Sequence, residues 1–398
     1  MRIFYSLEVF FPHISGVTIT TERLASNFAL NGDEVFIITA SDSGDFLIED
    51  SEKSYKVVKI KSYKSPIGQK TKVSYFAKLK AKEIIEKFEP DIIHLQDPLF
   101  ISLSLASEAK ERGIPVILTQ HSSMDFPLSY LGLPRFFKTW TRKIIELYYQ
   151  SFFNKYCDLI ISPSNFIKEE IENLKVNVPI EVISNGIDLS IIEKTKINED
   201  FLEKYQLKDI IHKPIVLYVG RLSKEKNIET LIKVIPLVLK ETEAIFLFVG
   251  EGNLKKKIIS ELKKQSLIEK TRFISTVEPN QEDIYRFYKI SSLFVMPSPI
   301  EAQSLATMEA MACGLPIVAS KTGALKELVR DKENGLLVDP FNVEELAQAI
   351  GELLKNQKLK EEMGRKSKTF IASHDFSLIF PKIKKIYEDL VKKNFWEK

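Results

Sequence analysis

The chain has 398 residues, 44% hydrophobic and 28% charged, with a formal net charge of +3. Its length exceeds one ordinary core and points to two domains, while the near-balanced charge argues against a dedicated nucleic-acid binder. Two cysteines, Cys157 and Cys313, build neither a disulfide framework nor a cysteine metal cluster.

The N-terminal MRIFYSLEVFF reads as a first strand and not as a signal peptide, because Glu8 interrupts its short apolar run. A helix is predicted from about Val17 to Leu30, followed by the strand EVFIITA. Between Lys53 and Lys87 eleven lysines stand against only Glu83 and Glu86. Such a block attracts anionic lipid or another acidic surface, and it serves equally as a solvated face. DIIHLQD, a helix through Ala109 and PVILTQH come next, and LIISPS and PIEVISNG close the first block. This is the β-α-β rhythm of a parallel sheet covered by helices.

Between PVILTQH and LIISPS lies LPRFFKTWTRKIIELYYQSFFNKY, from Leu133 to Tyr156. Phe136, Trp140, Ile144 and Tyr148 recur at i, i+4 spacing, while Arg135, Lys138 and Arg142 hold another face. An interfacial helix has that pattern, and so does an amphipathic core helix. No apolar stretch is long enough to span a bilayer. The expected location is therefore the cytoplasm, with the cytoplasmic membrane face as a peripheral docking surface.

From Asn185 to Pro214 the pattern breaks into a charged segment, and then it restarts: PIVLYVGRL, a helix from about Asn227 to Lys240, AIFLFVGEG, TRFIST, SLFVMPS and PIVAS. The expected organisation is α/β: two Rossmann-like domains, residues 1–200 and 201–375, facing a central cleft. Residues 376–398 form an amphipathic helix expected to pack back on the N-terminal domain. Ligands of such sheets bind beyond the carboxyl ends of the strands.

Two stretches hold candidate chemistry. YVGRLSKEKNIETLI places Arg221 and Lys226 directly after a strand, where two cations suit a departing diphosphate; a solvated lysine-rich loop looks the same. SPIEAQSLATMEAMACGLP carries Glu301 and, eight positions later, Glu309. A helix mouth at Ser304 and Leu305 favours an anion, and carboxylates accept strongly from sugar hydroxyls. Eight helical residues would separate the two glutamates by roughly 12 Å. Locally, however, SPIE is better read as a capping box, with Ser298 as cap and Glu301 reaching back.

The order of the pieces decides between these readings. Gly-Arg-x-x-x-x-Lys, FVGEG, FISTVEP and Glu-x7-Glu before AMACGLP form a long constellation. With ISNGID and the N-terminal HISGV, it resembles the retaining nucleotide-sugar glycosyltransferases of the GT-B fold, family 4 (group 1), including glycolipid-forming members. The resemblance covers nearly the whole chain. It implies that Arg221 and Lys226 hold the donor diphosphate, Glu301 the sugar hydroxyls and Glu309 the ribose. It further implies that Gly16 lets the N-terminal domain approach the donor phosphates, that His121 contacts the transferred sugar, and that Val277 flanks the base. Gln96 and Asp97, ending DIIHLQD, are acceptor candidates; a polar strand-end cap is the alternative. His121 has a plain alternative too, as a hydrogen-bonded loop residue. The chain departs from the family at Ala302, Gln303 and Ser304, where many relatives have glycines flanking an aromatic, and at Ser275, where glycine is common.

The expected reaction is transfer of a hexose from a UDP- or GDP-sugar to an acceptor hydroxyl, with no metal and no cofactor beyond the nucleotide-sugar co-substrate. A membrane lipid such as diacylglycerol or a glycolipid is the favoured acceptor. Transfer to a soluble or polysaccharide glycan and epimerisation of a nucleotide-sugar remain alternatives. A nicotinamide dehydrogenase is disfavoured, because no Gly-x-Gly-x-x-Gly follows the first strand. A non-catalytic binding module would have little reason to keep the four charged residues together.

Overall fold

The computed structural model describes residues 1–41, 47–50, 54–64, 72–73, 77–125, 128, 135–275 and 282–396. The chain divides into Met1–Asn185 with Ser377–Lys398, and Gly186–Phe376. No helix among the described residues is long and apolar enough to cross a membrane.

The first unit is built on β1 (Arg2–Leu7), β2 (Glu34–Ser41), β3 (Leu47–Asp50), β4 (Lys56–Lys61), β7 (Ile92–Leu95), β8 (Val116–Thr119), β9 (Leu159–Ser162) and β10 (Ile180–Val182). They lie in the order β10-β9-β8-β7-β1-β2-β4-β3, while β5 (Tyr63–Lys64) and β6 (Lys72–Val73) pair separately. Within the large sheet every pairing is parallel except that of β3 with β4. β7, β8 and β9 are buried at every position, as strands covered on both faces must be, which is why they read as unbroken apolar runs. The strand order reverses direction around β1, and the ends of β1, β7 and β8 deliver Glu8, Gln96 with Asp97, and His121 to the same edge of the sheet.

From Ser377 onward the last helix, Phe376–Trp396, belongs to this unit. Its anchor is Tyr387, which is fully buried. The ring stacks on Phe28 at 4.8 Å, and the hydroxyl donates to the Tyr5 hydroxyl at 3.1 Å. The same hydroxyl meets Nδ1 of buried His94, whose Nε2 pairs with the Thr119 hydroxyl at 2.7 Å. The C-terminal helix is thereby tied through hydrogen bonds to β1, β7 and β8.

The second unit carries β11 (Ile215–Val219), β12 (Ile245–Val249), β13 (Thr271–Ile274), β14 (Leu293–Met296), β15 (Ile317–Ser320) and β16 (Gly335–Val338), in the order β13-β12-β11-β14-β15-β16. All its pairings are parallel. The division falls at Gly186 and not near position 200, because the intervening charged segment packs on this unit. Phe201 lies 4.9 Å from Phe287, Lys204 pairs with Asp283 at 2.9 Å, and Arg286 donates to the Lys196 carbonyl at 2.8 Å. The chain enters and leaves this unit side by side: the Ile187 amide donates to the His374 carbonyl, and the Phe376 amide to the Ile187 carbonyl.

Tyr387→Phe keeps the stacked ring but removes the hydroxyl shared by His94 and Tyr5, and is expected to cost about 1–3 kcal/mol in urea unfolding. Unchanged stability would refute the anchoring role. Burial lowers His94 from its ordinary 6.5 to about 3, so between these values the unfolded chain holds a proton the folded chain lacks. Stability should therefore fall as pH drops through that window, and His94→Gln should make the fall shallower.

Candidate functional site

In the second unit the loop after β11 is set by backbone packing. Gly220 (φ +151°) and Gly250 (φ +141°) end β11 and β12, and a Cβ on Gly250 would stand 2.1 Å from the Gly220 carbonyl oxygen. Neither conformation suits an L side chain. The two loops run on in contact: the Gly220 amide donates to the Val249 carbonyl at 3.0 Å, and the Leu222 amide to the Glu251 carbonyl at 2.9 Å. The chain then makes a 3-10 turn, Lys224–Lys226, and passes through Asn227 in the left-handed region (φ +54°) before the helix Ile228–Leu239. The buried Asn227 amide donates to the Pro297 carbonyl at 3.1 Å and to the Pro340 carbonyl. One side chain thus holds the loop after β11 against those after β14 and β16.

This framework brings Lys226 to Glu301, Nζ to Oε1 at 2.6 Å. The Glu301 side chain is only 9% exposed and that of Lys226 only 19%. Arg221 lies 3.3 Å from Glu225, a partner held in turn by the Ser223 hydroxyl at 2.6 Å. The Arg221 carbonyl accepts from the Tyr218 hydroxyl at 2.8 Å. Burial, then the negative charges of Glu301 and Glu225, push the Tyr218 phenol well above its usual value, so Tyr218 stays a neutral donor.

Glu301 is not part of a capping box, contrary to the local reading of SPIE. The helix is Leu305–Ala312 and its cap is Ser304, which accepts from the Thr307 amide at 3.3 Å and the Thr307 hydroxyl at 2.9 Å. Ser298 turns instead to the Ile300 carbonyl at 3.1 Å. Pro299 and Ile300 lie outside any helix, leaving Glu301 ahead of the helix with its carbonyl accepting from the Ala324 amide at 3.3 Å. The two glutamates therefore do not share one helix, and the helical-rise estimate between them does not apply. Capping by Ser304 leaves the amides of Leu305 and Ala306 as first-turn donors. Glu309, further along the helix and mostly buried, accepts from the Tyr288 hydroxyl at 3.0 Å.

Arg221, Lys226, Glu301, Ser304, Leu305 and Glu309 thus lie on the loops and the helix that follow β11 and β14. Val277 falls outside the described residues. Ser275 accepts from Lys255 at 2.8 Å. Sequence reasoning passed over Glu225, Asn227 and Tyr288. Glu225 and Asn227 stand inside GRLSKEKN, where Arg221 and Glu225 have ion-pair spacing; Tyr288, distant in sequence from Glu309, leaves no such signal.

In the first unit Gly16 is the first residue of the helix Gly16–Leu30, capped by Ser15. His121 and Gln96 are brought together, Nε2 to Oε1 at 2.8 Å. Burial pulls His121 down from 6.5 to about 4, leaving a neutral ring at neutral pH. Asp97 is a strand-end cap: it accepts from the Glu8 amide at 2.8 Å, the Leu99 amide at 3.1 Å and the Ser102 hydroxyl at 3.0 Å. Burial raises its carboxyl to about 6 against these bonds. Glu8 accepts from the Ile101 amide at 2.7 Å, so two carboxylates together cap the helix Phe100–Arg112.

The helix Arg135–Tyr156 buries Tyr149, Phe152 and Phe153 and leaves Phe137, Trp140, Ile144, Leu147 and Tyr148 exposed. The side chains of Arg135, Phe136 and Lys138 lie outside the described residues, as do residues 133 and 134. Arg142 does not form a free basic face: it pairs with Asp125 at 3.2 Å and Glu146 at 3.0 Å. In the lysine block Lys56 pairs with Glu34 at 3.1 Å and Lys80 with Glu83 at 2.9 Å, while Lys53 lies outside the described residues.

Residues 14–191 match the model of Glycosyltransferase Family 4, and residues 203–370 that of Glycosyl transferases group 1. The chain is 28% identical over 357 residues to an alpha-monoglucosyldiacylglycerol synthase of Streptococcus pneumoniae, covering 89% of this chain and 78% of that protein. Among solved structures, sucrose-phosphate synthase of Thermosynechococcus elongatus superposes with a TM-score of 0.80 at 20% identity, over 98% of this chain and 99% of that one. HepE of Anabaena, solved in complex with UDP, gives 0.76 at 17% identity, over 98% and 100%. With a family 4 region followed by a group 1 region and the fold of these enzymes, the chain belongs to the group 1, family 4 glycosyltransferases of the GT-B fold.

Proposed function

We propose that this glycosyltransferase moves a hexose from a nucleoside-diphosphate sugar to a hydroxyl of a membrane lipid, diacylglycerol or a glycolipid, with retention of configuration at the anomeric carbon. The observation that carries the donor half is the contact of Lys226 with Glu301. It puts a cation fit for a phosphate beside a carboxylate fit for sugar hydroxyls, next to a serine-capped helix start. HepE, a fold relative, was solved with UDP, which agrees with such a donor.

In this reading the bond from the anomeric carbon to the diphosphate oxygen breaks first, through an oxocarbenium-like state. Arg221, Lys226 and the amides at Leu305 and Ala306 stabilise the charge growing on the departing diphosphate. The acceptor oxygen bonds the anomeric carbon on the same face, and its proton passes to a diphosphate oxygen. Glu301 holds the sugar through its hydroxyls, and Glu309 holds the ribose.

The lipid half rests on the exposed apolar stripe of Arg135–Tyr156 and on the similarity to a glycolipid synthase. Aromatic and aliphatic side chains at i, i+3 and i+4 spacing, facing solvent, are those of a helix that lies in a lipid interface.

Glu301→Gln should lower kcat by about 10²–10³, the usual cost of losing one group that stabilises a transition state, when assayed well below a thermal midpoint that itself falls because Lys226 loses its counter-charge. Near-wild-type turnover would overturn the donor assignment. A panel of nucleotide sugars incubated with membrane lipid extract, read by mass spectrometry, should yield a free nucleotide diphosphate together with a hexosylated lipid. Free nucleotide alongside only a soluble glycoside would overturn the lipid acceptor, and a changed sugar nucleotide with no acceptor product would overturn transfer. In vesicle sedimentation, Trp140→Ser combined with Ile144→Ser should release the protein from anionic vesicles, whereas rising salt should weaken binding only in part, because apolar burial is not screened. Retention of the double variant in the pellet would exclude the helix as the docking element.

A further inference from the structure

Gln96 is only 1% exposed, and its carboxamide oxygen lies 2.8 Å from His121 Nε2. Its backbone is fixed by donation of its amide to the Ser6 carbonyl at 2.8 Å, which makes it a continuation of the sheet and not a loose loop residue. The carboxamide nitrogen, in contrast, is buried and has no protein partner among the described residues. A buried amide half-satisfied in this way is a cost to the fold. The contact it does make is with the ring of the one histidine that both the resemblance and its place after β8 put at the site.

In a neutral imidazole, the bond made by one nitrogen sets which form the other presents. An oxygen facing Nε2 requires Nε2 to carry the proton, and Nδ1 is then a lone-pair acceptor. We infer that Gln96 is the positioning residue of His121: its carboxamide oxygen accepts the Nε2 proton and so presents Nδ1 as the acceptor for a hydroxyl of the bound sugar substrate. The inference rests on the reading of His121 as a substrate-contacting residue. Burial supports it by keeping the ring neutral, since a protonated ring would offer Nδ1 as a donor. His94, lowered first by burial and then by the charge of His121, is itself held neutral and does not recharge the ring.

The test uses the full-length protein with its histidines labelled with 15N, and the His121→Asn spectrum to assign His121. Wild type at neutral pH should show His121 with Nε2 protonated and Nδ1 bare. In Gln96→Leu the two nitrogens should move toward the averaged shifts of exchanging tautomers. The kcat for hexosyl transfer should fall about 10- to 100-fold, the range seen when partners that orient histidines at metal sites are lost, with the KM for the nucleotide sugar little changed. Gln96→Glu keeps the accepting oxygen but adds a charge that favours the imidazolium. Its activity should be low at neutral pH and recover as pH rises, in step with loss of the second ring proton. A wild-type His121 protonated at Nδ1 overturns the proposal. So does an unchanged tautomer and kcat in Gln96→Leu when His121→Ala is inactive. A fully active His121→Ala instead overturns the underlying assignment of His121 to the site.

Discussion

The contact of Lys226 with Glu301 is the constraint on which the second unit's edge depends. Two opposite charges mostly withdrawn from water are tolerable only while each has the other, since removing one leaves a costly unpaired charge. The surrounding loops are arranged to keep that distance short. Gly220 and Gly250 let the loops after β11 and β12 touch backbone to backbone, and Asn227 fastens the end of the lysine turn to the carbonyls of Pro297 and Pro340. Ser304 starts the following helix late enough for Glu301 to stand ahead of it. A substitution at any of these positions would reach the ion pair without touching it.

Pairing does not consume either group. An ammonium has three N–H donors and a carboxylate about four acceptor positions. Lys226 can hold Glu301 with one proton and direct the others to a phosphate, and Glu301 can accept from Lys226 and still receive sugar hydroxyls. In the proposed function, the ion pair would act as a spacer of fixed length between the phosphate side and the sugar side of one ligand. Arg221, more exposed and paired with Glu225, can swing toward a phosphate while Glu225 is kept in place by Ser223. A strong anchor next to a looser cation suits a diphosphate whose charge grows as it departs.

Much of this was legible in the sequence because it is local. Buried parallel strands have to be apolar at every position, so the β-α-β rhythm and both sheets could be read from runs such as LIIS and IFLFV. The pairing of Lys226 with Glu301 could not, because 75 residues separate them and only the strand order makes them neighbours. The capping-box reading of SPIE failed for a related reason. Ser298 and Glu301 have the correct spacing, but the Ala324 amide and Lys226 claim the carbonyl and carboxylate of Glu301, and the helix begins at the next serine. Asp97 shows the reverse: the plain reading as a strand-end cap describes its bonds to Glu8, Leu99 and Ser102, while Gln96 beside it turns to His121.

The helix Arg135–Tyr156 shows how the structure shifts weight from charge to apolar surface. Its sequence suggests two faces, one aromatic and one basic, and an electrostatic attraction to anionic lipid follows naturally from the basic one. Yet Arg142 is spent on Asp125 and Glu146, and lysines of the upstream block are partly matched by Glu34 and Glu83. Exposed pairs of this kind contribute little to stability, but they reduce the net field a membrane would feel. What this charge pairing leaves exposed is the apolar run of Phe137, Trp140, Ile144, Leu147 and Tyr148. Apolar burial is insensitive to the screening that weakens surface charge. For a lipid acceptor, insertion of this stripe would therefore hold the protein at the interface, and the residual lysines would bias the choice of headgroup.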